Sequence, residues 1–164
     1  MNILKELAGK INGQIVLRTA LDEENCSFLW NEPATIEEIE AFEKKHQCSF
    51  PEAYKEFLLI SNGATLFKTE SGSNGYQLLS LKEMEEETQE IREDGYIISD
   101  KCYCFIKFLF NGDVLFLDLD KKFNYILDGN MRRHSYKWEY INSDINTFFE
   151  HLCQCNGATY WRWQ

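Results

Sequence analysis

Residues 102–119 place the tightest limit on the fold. Two apolar runs, 102–110 and 113–119, are separated by Asn111-Gly112. Asn-Gly between apolar runs is a strong hairpin signal, because both residues accept the positive φ that a tight turn needs. Each run is apolar at odd and even positions, so both faces of the hairpin need cover and the hairpin belongs in the middle of a sheet. Helical periods surround it. The expected fold is therefore α+β: a single domain over residues 1–164, with a mainly antiparallel sheet flanked by helices.

The helices are read from their caps and stripes. Ile3, Leu4, Leu7 and Ile11 give a short amphipathic helix within residues 1–13. Residues 15–31 show no clear period. Thr35-Ile36-Glu37-Glu38 is a capping box opening a helix with Ile36, Ile39, Glu43 and His46 on one side and Phe42 beside them. Pro51 suits the first position of a second helix, whose inward stripe is Tyr54, Phe57, Leu58 and Ser61 and whose stop is Asn62-Gly63. Residues 76–79 read as a strand. Ser80-Leu81-Lys82-Glu83 is another capping box, followed by the stripe Leu81, Met84, Thr88 and Ile91. Residues 123–127 and 136–141 read as strands. A last helix begins at Ser143-Asp144-Ile145 and carries Ile145, Phe148, Phe149 and Leu152. The aromatic tail Tyr160-Trp161-Arg162-Trp163 is expected to pack back on the domain.

Composition narrows the function. Hydrophobic residues make up 44% of the chain, enough for a real core, and the two prolines mark no linker. The longest apolar runs fall well short of the ~20 residues of a spanning helix, so no membrane partner is expected. Charges inside the first apolar pattern argue against a signal peptide, which points to the cytoplasm and to reduced thiols at all six cysteines. The net charge of −10 disfavours nucleic acid, whose phosphates call for a basic surface, and suits equally a basic protein as partner or simple solubility.

No catalytic constellation is visible. His46, His134 and His151 stand in unrelated settings, and no phosphate loop or nucleophile elbow occurs. Cys102 and Cys104 share a strand face, and His151, Cys153 and Cys155 cluster near the last helix, but zinc sites usually place two residues between paired cysteines. Asp113, Asp118, Asp120 and Asp128 crowd the hairpin without the spacing of a calcium loop, and turn chemistry accounts for them. The expectation is a non-enzymatic protein with no catalytic residue, cofactor or metal.

The feature that points outward is the helix after Ser80. Glu83, Glu85, Glu86, Glu87, Glu90, Glu93 and Asp94 face only Arg92. Such a run is commonly a solvated helix face. It also suits a docking surface that steers a basic partner. Glu85, Glu86, Glu87, Glu90, Glu93 and Asp94 are the candidate partner-binding residues, with Tyr76 and Tyr96 as short-range anchors, since Tyr is enriched at hot spots.

The stretch Pro33-Ala34-Thr35-Ile36-Glu37-Glu38-Ile39-Glu40-Ala41-Phe42-Glu43, then Phe50-Pro51-Glu52-Ala53-Tyr54-Lys55-Glu56-Phe57-Leu58, then Asn62-Gly63, resembles the SUKH superfamily. The likeness covers roughly residues 33–153 and departs at Ala64, where a second Gly is frequent. The superfamily includes fungal cell-wall-assembly regulators and many bacterial immunity proteins. The resemblance implies an α+β fold with a Trp-containing strand before the closing helix. It also implies an immunity protein that binds and neutralises a cognate bacterial protein toxin, with a nuclease as one toxin class. The alternative it implies is a protein-binding scaffold or regulatory module without toxin neutralisation. The sequence leaves the oligomeric state open.

Overall fold

Among residues 3–10, 12–18 and 23–163, which the computed structural model describes, eight strands and five α-helices form. They run α1 (Ile3–Lys10), β1 (Gly13–Arg18), β2 (Glu23–Trp30), α2 (Ile36–His46), α3 (Glu52–Leu58), β3 (Ala64–Thr69), β4 (Tyr76–Leu78), α4 (Leu81–Glu93), β5 (Cys102–Phe108), β6 (Val114–Asp118), β7 (Ile126–Gly129), β8 (Glu139–Ile141) and α5 (Ile145–Gln154). The strands lie in sequence order in one sheet, and every neighbouring pair is antiparallel. The expected α+β class holds. Ile11 lies outside the described residues.

The hairpin is central, with β5 and β6 almost wholly buried. Its two faces have different covers. Tyr103 of β5 meets Phe42 of α2 edge-on at 5.4 Å. Phe116 of β6 stacks at 5.4 Å on Trp138, which stacks on Tyr96. Tyr103 pairs with Leu117, so Phe116 points to the opposite face. Helices cover one face there and an aromatic stack from two loops covers the other.

The connection is not the two-residue turn that Asn-Gly suggested. Five residues, 109–113, join β5 to β6. Of the Asn-Gly pair only Gly112 takes a positive φ, at 76°. Asn111 instead accepts from the Asp113 amide at 2.9 Å and donates to the Asp113 carboxylate at 3.0 Å. The Asn side chain replaces a backbone turn bond, which is how Asx turns form.

Both capping boxes are complete. Thr35 and Ser80 accept from the amides of Glu38 and Glu83, and each Glu reaches back to its cap amide. Ile36 is 57% exposed because it occupies the first helical position, and Ile39 and Phe42 carry the burial. Pro51 stands one residue before α3 as its N-cap. Tyr54, Phe57, Leu58 and Ser61 are all buried as the stripe required.

Asn62-Gly63 does more than stop α3. The Asn62 amide donates to Glu32 O at 2.9 Å, and its side-chain oxygen accepts from the Leu81 amide at 2.9 Å. One residue thus joins the end of β2 to the start of α4. Gly63 has φ +97°, and a Cβ there would stand 2.8 Å from Leu78 O. Only glycine can pass that close in that conformation.

Three strands go unassigned in the sequence reading and two assignments shift. Within the stretch 15–31, silent in the sequence, residues 15–18 belong to β1 and residues 23–30 form β2, and β3 follows Gly63 directly. The strand expected over 123–127 is β7, displaced to Ile126–Gly129, because Asn124 adopts φ 49° in the preceding turn. The strand expected over 136–141 is reduced to β8, because Ser135–Lys137 form a 3-10 turn. Trp138 precedes β8 and donates its indole N–H to Asn130 O at 2.9 Å.

Strand β4 pairs with β5 only from Tyr76 to Leu78, opposite Ile106 to Phe108. The rest of that β5 edge is closed by α4. The Leu79 amide donates to Phe105 O at 2.9 Å, the Cys104 amide donates to the Thr88 hydroxyl at 2.9 Å, and Arg92 donates to Cys102 O at 3.3 Å. Side chains of a helix here take the place of a missing strand.

The tail packs back as expected. Arg162 donates to Asp113 at 2.6 Å and to Asp128 at 2.7 Å, and Trp161 donates to Asp128 at 3.0 Å. Two of the crowded aspartates are thus organised around a guanidinium from the same chain. Burial opposes the charge on Arg162, but the bonds from Asp128 and Asp113 outweigh it and push its pKa up.

Two measurements test these contacts. Gly63→Ala is expected to cost about 3 kcal/mol, from positive φ plus a backbone clash, whereas Gly112→Ala, with open space around it, costs about 1 kcal/mol. Equal losses of denaturation midpoint would contradict the hub role of Asn62-Gly63. Thr88→Val keeps the shape but leaves the buried Cys104 amide without an acceptor, for a loss of about 1–3 kcal/mol. Thr88→Ser should retain most of the stability in the same urea titration.

Candidate functional site

The stripe Leu81, Met84, Thr88 and Ile91 is buried, which fixes the rotation of α4 about its axis. The seven acids then fall into two groups. Glu83 serves the capping box and accepts from Gln77 at 3.1 Å. Glu85 takes Lys45 and His46 of α2, each at 2.7 Å. Burial pushes the Glu85 carboxyl up, but the Lys45 and His46 contacts outweigh it and hold it below the usual range. Glu87 pairs with Lys107 of β5 at 2.6 Å. These three carboxylates tie α4 to the fold.

Glu86, Glu90, Glu93 and Asp94 are exposed. Glu86 has only an exposed contact with Lys82 at 3.5 Å. Glu93 accepts from Gln89 at 2.7 Å. Among the described residues, no cation forms an ion pair with Glu90, Glu93 or Asp94. All three lie in or just past the last turn of α4, where the helix carbonyls already concentrate negative charge. The single Arg92 does not offset them, because it turns to backbone oxygens of Ser99, Asp100 and Cys102.

The two anchoring tyrosines behave differently. Tyr76 is fully buried, and its hydroxyl donates to Gly157 O at 2.7 Å. It is a core residue and cannot reach a partner, which corrects its place among the anchors. Burial also pushes its hydroxyl pKa well up. Tyr96 is half-buried, stacked at 5.4 Å on Trp138, with its hydroxyl on Met131 O at 2.9 Å. It forms the floor of a groove of about 500 Å³ that begins at Asp94 and is walled by residues 131–136.

Two residues that the sequence reading passed over stand at this groove. Ile97 is 87% exposed and Tyr136 is 79% exposed, with Tyr136 stacked flat on His134 at 5.4 Å. The Ile97 amide donates to the Ser135 hydroxyl at 3.2 Å, so the two walls are joined. Ile97 was given no role in the sequence reading and Tyr136 was counted in a strand, so the sequence held no signal for their meeting. The result is an acidic ridge ending at an aromatic floor with two exposed apolar side chains. That arrangement can steer and seat a protein, and nothing in it activates a nucleophile.

Elsewhere, all six cysteines are free thiols. Burial pushes the Cys153 thiol up to about 11. Among the described residues, no group of three or more His, Cys, Asp or Glu side chains is placed to hold a metal ion, and no helix is long and apolar enough to cross a membrane.

The sorting of acids makes an unequal prediction. Glu93→Lys replaces a charge that opposes the helix end with one that suits it, and is expected to raise stability by about 0.3–1 kcal/mol. Glu87→Lys breaks the pair with Lys107 and sets two cations together, and is expected to lower stability. Thermal melts of the two variants should move in opposite directions. A shared loss would mean that the outer acids also support the fold.

The chain is 30% identical over 149 residues to Uncharacterized protein YobM of Bacillus subtilis (strain 168), covering 80% of this chain and 71% of that one. It is 29% identical over 153 residues to Uncharacterized protein YnaB of the same organism, covering 84% and 89%. The family model described as SMI1 / KNR4 family (SUKH-1) matches residues 33–151, a span that runs from the capping box of α2 through α4 and the central hairpin into α5. With that match over most of its length, the chain belongs to the SMI1 / KNR4 family (SUKH-1).

Proposed function

We propose that this chain is an immunity protein, acting in the cytoplasm as a single domain that binds a bacterial protein toxin and neutralises it stoichiometrically, without catalysis or a cofactor. The partner is a basic protein, with a nuclease as the toxin class that best suits an acidic inhibitor. A nuclease carries positive charge to hold its substrate, and an acidic ridge steers onto that charge.

The observation that carries this reading is the position of Glu90, Glu93 and Asp94. They stand where the helix electrostatics disfavour them, and among the described residues no cation forms an ion pair with them. Charges held against local stability, beside exposed Ile97 and Tyr136, fit selection for a partner. Membership in a family whose resemblance implied immunity proteins supports the same reading.

The test is the kinetics of binding to the product of the neighbouring gene, the expected toxin. Glu90→Lys with Glu93→Lys is expected to slow association about tenfold or more at low salt, with less effect on dissociation. The difference should fade at high salt, since charge acts over only ~8 Å at physiological ionic strength. Ile97→Ser and Tyr136→Ala should instead speed dissociation. Association indifferent to salt and to reversal would remove this ridge from the site. Absence of any toxin binding would favour a scaffold that binds cellular proteins without neutralising them.

A further inference from the structure

The groove beside Tyr96 has lips of opposite charge. One is the end of α4, with Glu90, Glu93 and Asp94. The other is the loop between β7 and β8, with Arg132 and Arg133, both exposed. This loop belongs to a local reversal of charge: residues 121–138 hold five Lys or Arg and one carboxylate, in a chain of net charge −10. That carboxylate, Asp128, is taken by Arg162. Asp94, Arg132 and Arg133 all line the same groove, so acid and base are neighbours on one side of the molecule. Ile97 and Tyr136 project there too, 87% and 79% exposed.

A surface with adjoining patches of opposite charge is complementary to itself. A two-fold rotation about an axis through the boundary sets the acidic lip of each copy against the basic lip of the other, twice over. The exposed Ile97 and Tyr136 then meet near the axis, where an interface takes its apolar contacts, and the charges form the rim. A second copy satisfies both lips.

We propose that the free protein pairs with itself through this face as a closed, two-fold symmetric dimer that is weak and salt-sensitive. The dimer covers Glu93, Asp94, Ile97 and Tyr136. It needs no second protein, so it stands apart from the toxin reading. If both hold, toxin and second copy compete for one face, and a partner binds the monomer.

The experiment is sedimentation velocity on the full chain at low salt, from about 1 µM to about 1 mM, the range over which transient contacts fill. The expected result is a monomer–dimer equilibrium that shifts to monomer at high salt. Glu93→Lys with Asp94→Lys makes both lips basic, and Arg132→Glu with Arg133→Glu makes both acidic. Each double variant is expected to be monomeric, with unchanged circular dichroism to show that it folds. An equimolar mixture of the two is expected to recover dimer, because every contact is again between opposite charges. Ile97→Ser should weaken the wild-type dimer about tenfold. A wild-type monomer at every concentration, a dimer that survives both double variants, or species that keep growing beyond the dimer would each overturn the proposal.

Discussion

A central strand cannot leave its backbone unpaired, and most of this structure can be understood from how β5 meets that demand. On one side β6 pairs with it from Cys102 to Lys107, with a register shift between Cys104 and Ile106, while on the other β4 covers only its last three residues. The remaining edge lies in the core, where an unmatched amide is costly. The chain closes it with Thr88 and Arg92 of α4 and with the amide of Leu79. That requirement sets the distance of α4 from the sheet and its rotation. It also accounts for a polar residue, Thr88, in the middle of an apolar stripe.

Once α4 is fixed in this way, its acids are sorted by geometry. Glu85 faces α2 and Glu87 faces β5, where cations await them. Glu83 sits in the first turn, where negative charge is welcome, and Glu93 and Asp94 close the other end, where it is not. The same residue type therefore plays structural and outward roles within three turns of one helix. The outward group ends beside a loop of opposite charge, so that face is of mixed character.

Local features of the fold were legible in the sequence. The boxes at Thr35 and Ser80, the stripes of α3, α4 and α5, and the centrality of the hairpin depend on neighbours a few residues apart. Non-local features were not legible. Strands β1 and β2 pair along a ribbon of mixed polarity, so no alternation betrayed them. Tyr76 and Tyr96 looked equivalent as aromatic residues flanking α4, and only the fold buries one beneath Gly157 and leaves the other as the floor of a groove. The aspartates at 113 and 128 looked like turn residues because their guanidinium partner lies more than thirty positions away. The groove joins residues 94–97 with residues 131–136, a meeting that no periodicity encodes.

The strand order has a consequence for how the molecule is made. Each strand lies beside its predecessor, so a sheet of this kind can assemble in the order in which the ribosome delivers it, with every new strand finding a template already present. Several contacts close later than this order, among them Tyr76 on Gly157 and Asp113 on Arg162. Asp113 is among the least exposed carboxylates of the protein, and the arginine that matches it arrives forty-nine residues later. Apart from Arg162, the Asp113 carboxylate accepts from neutral donors, the Asn111 side chain and the Met131 amide. The Arg162–Asp113 pair therefore forms late relative to the hairpin it serves.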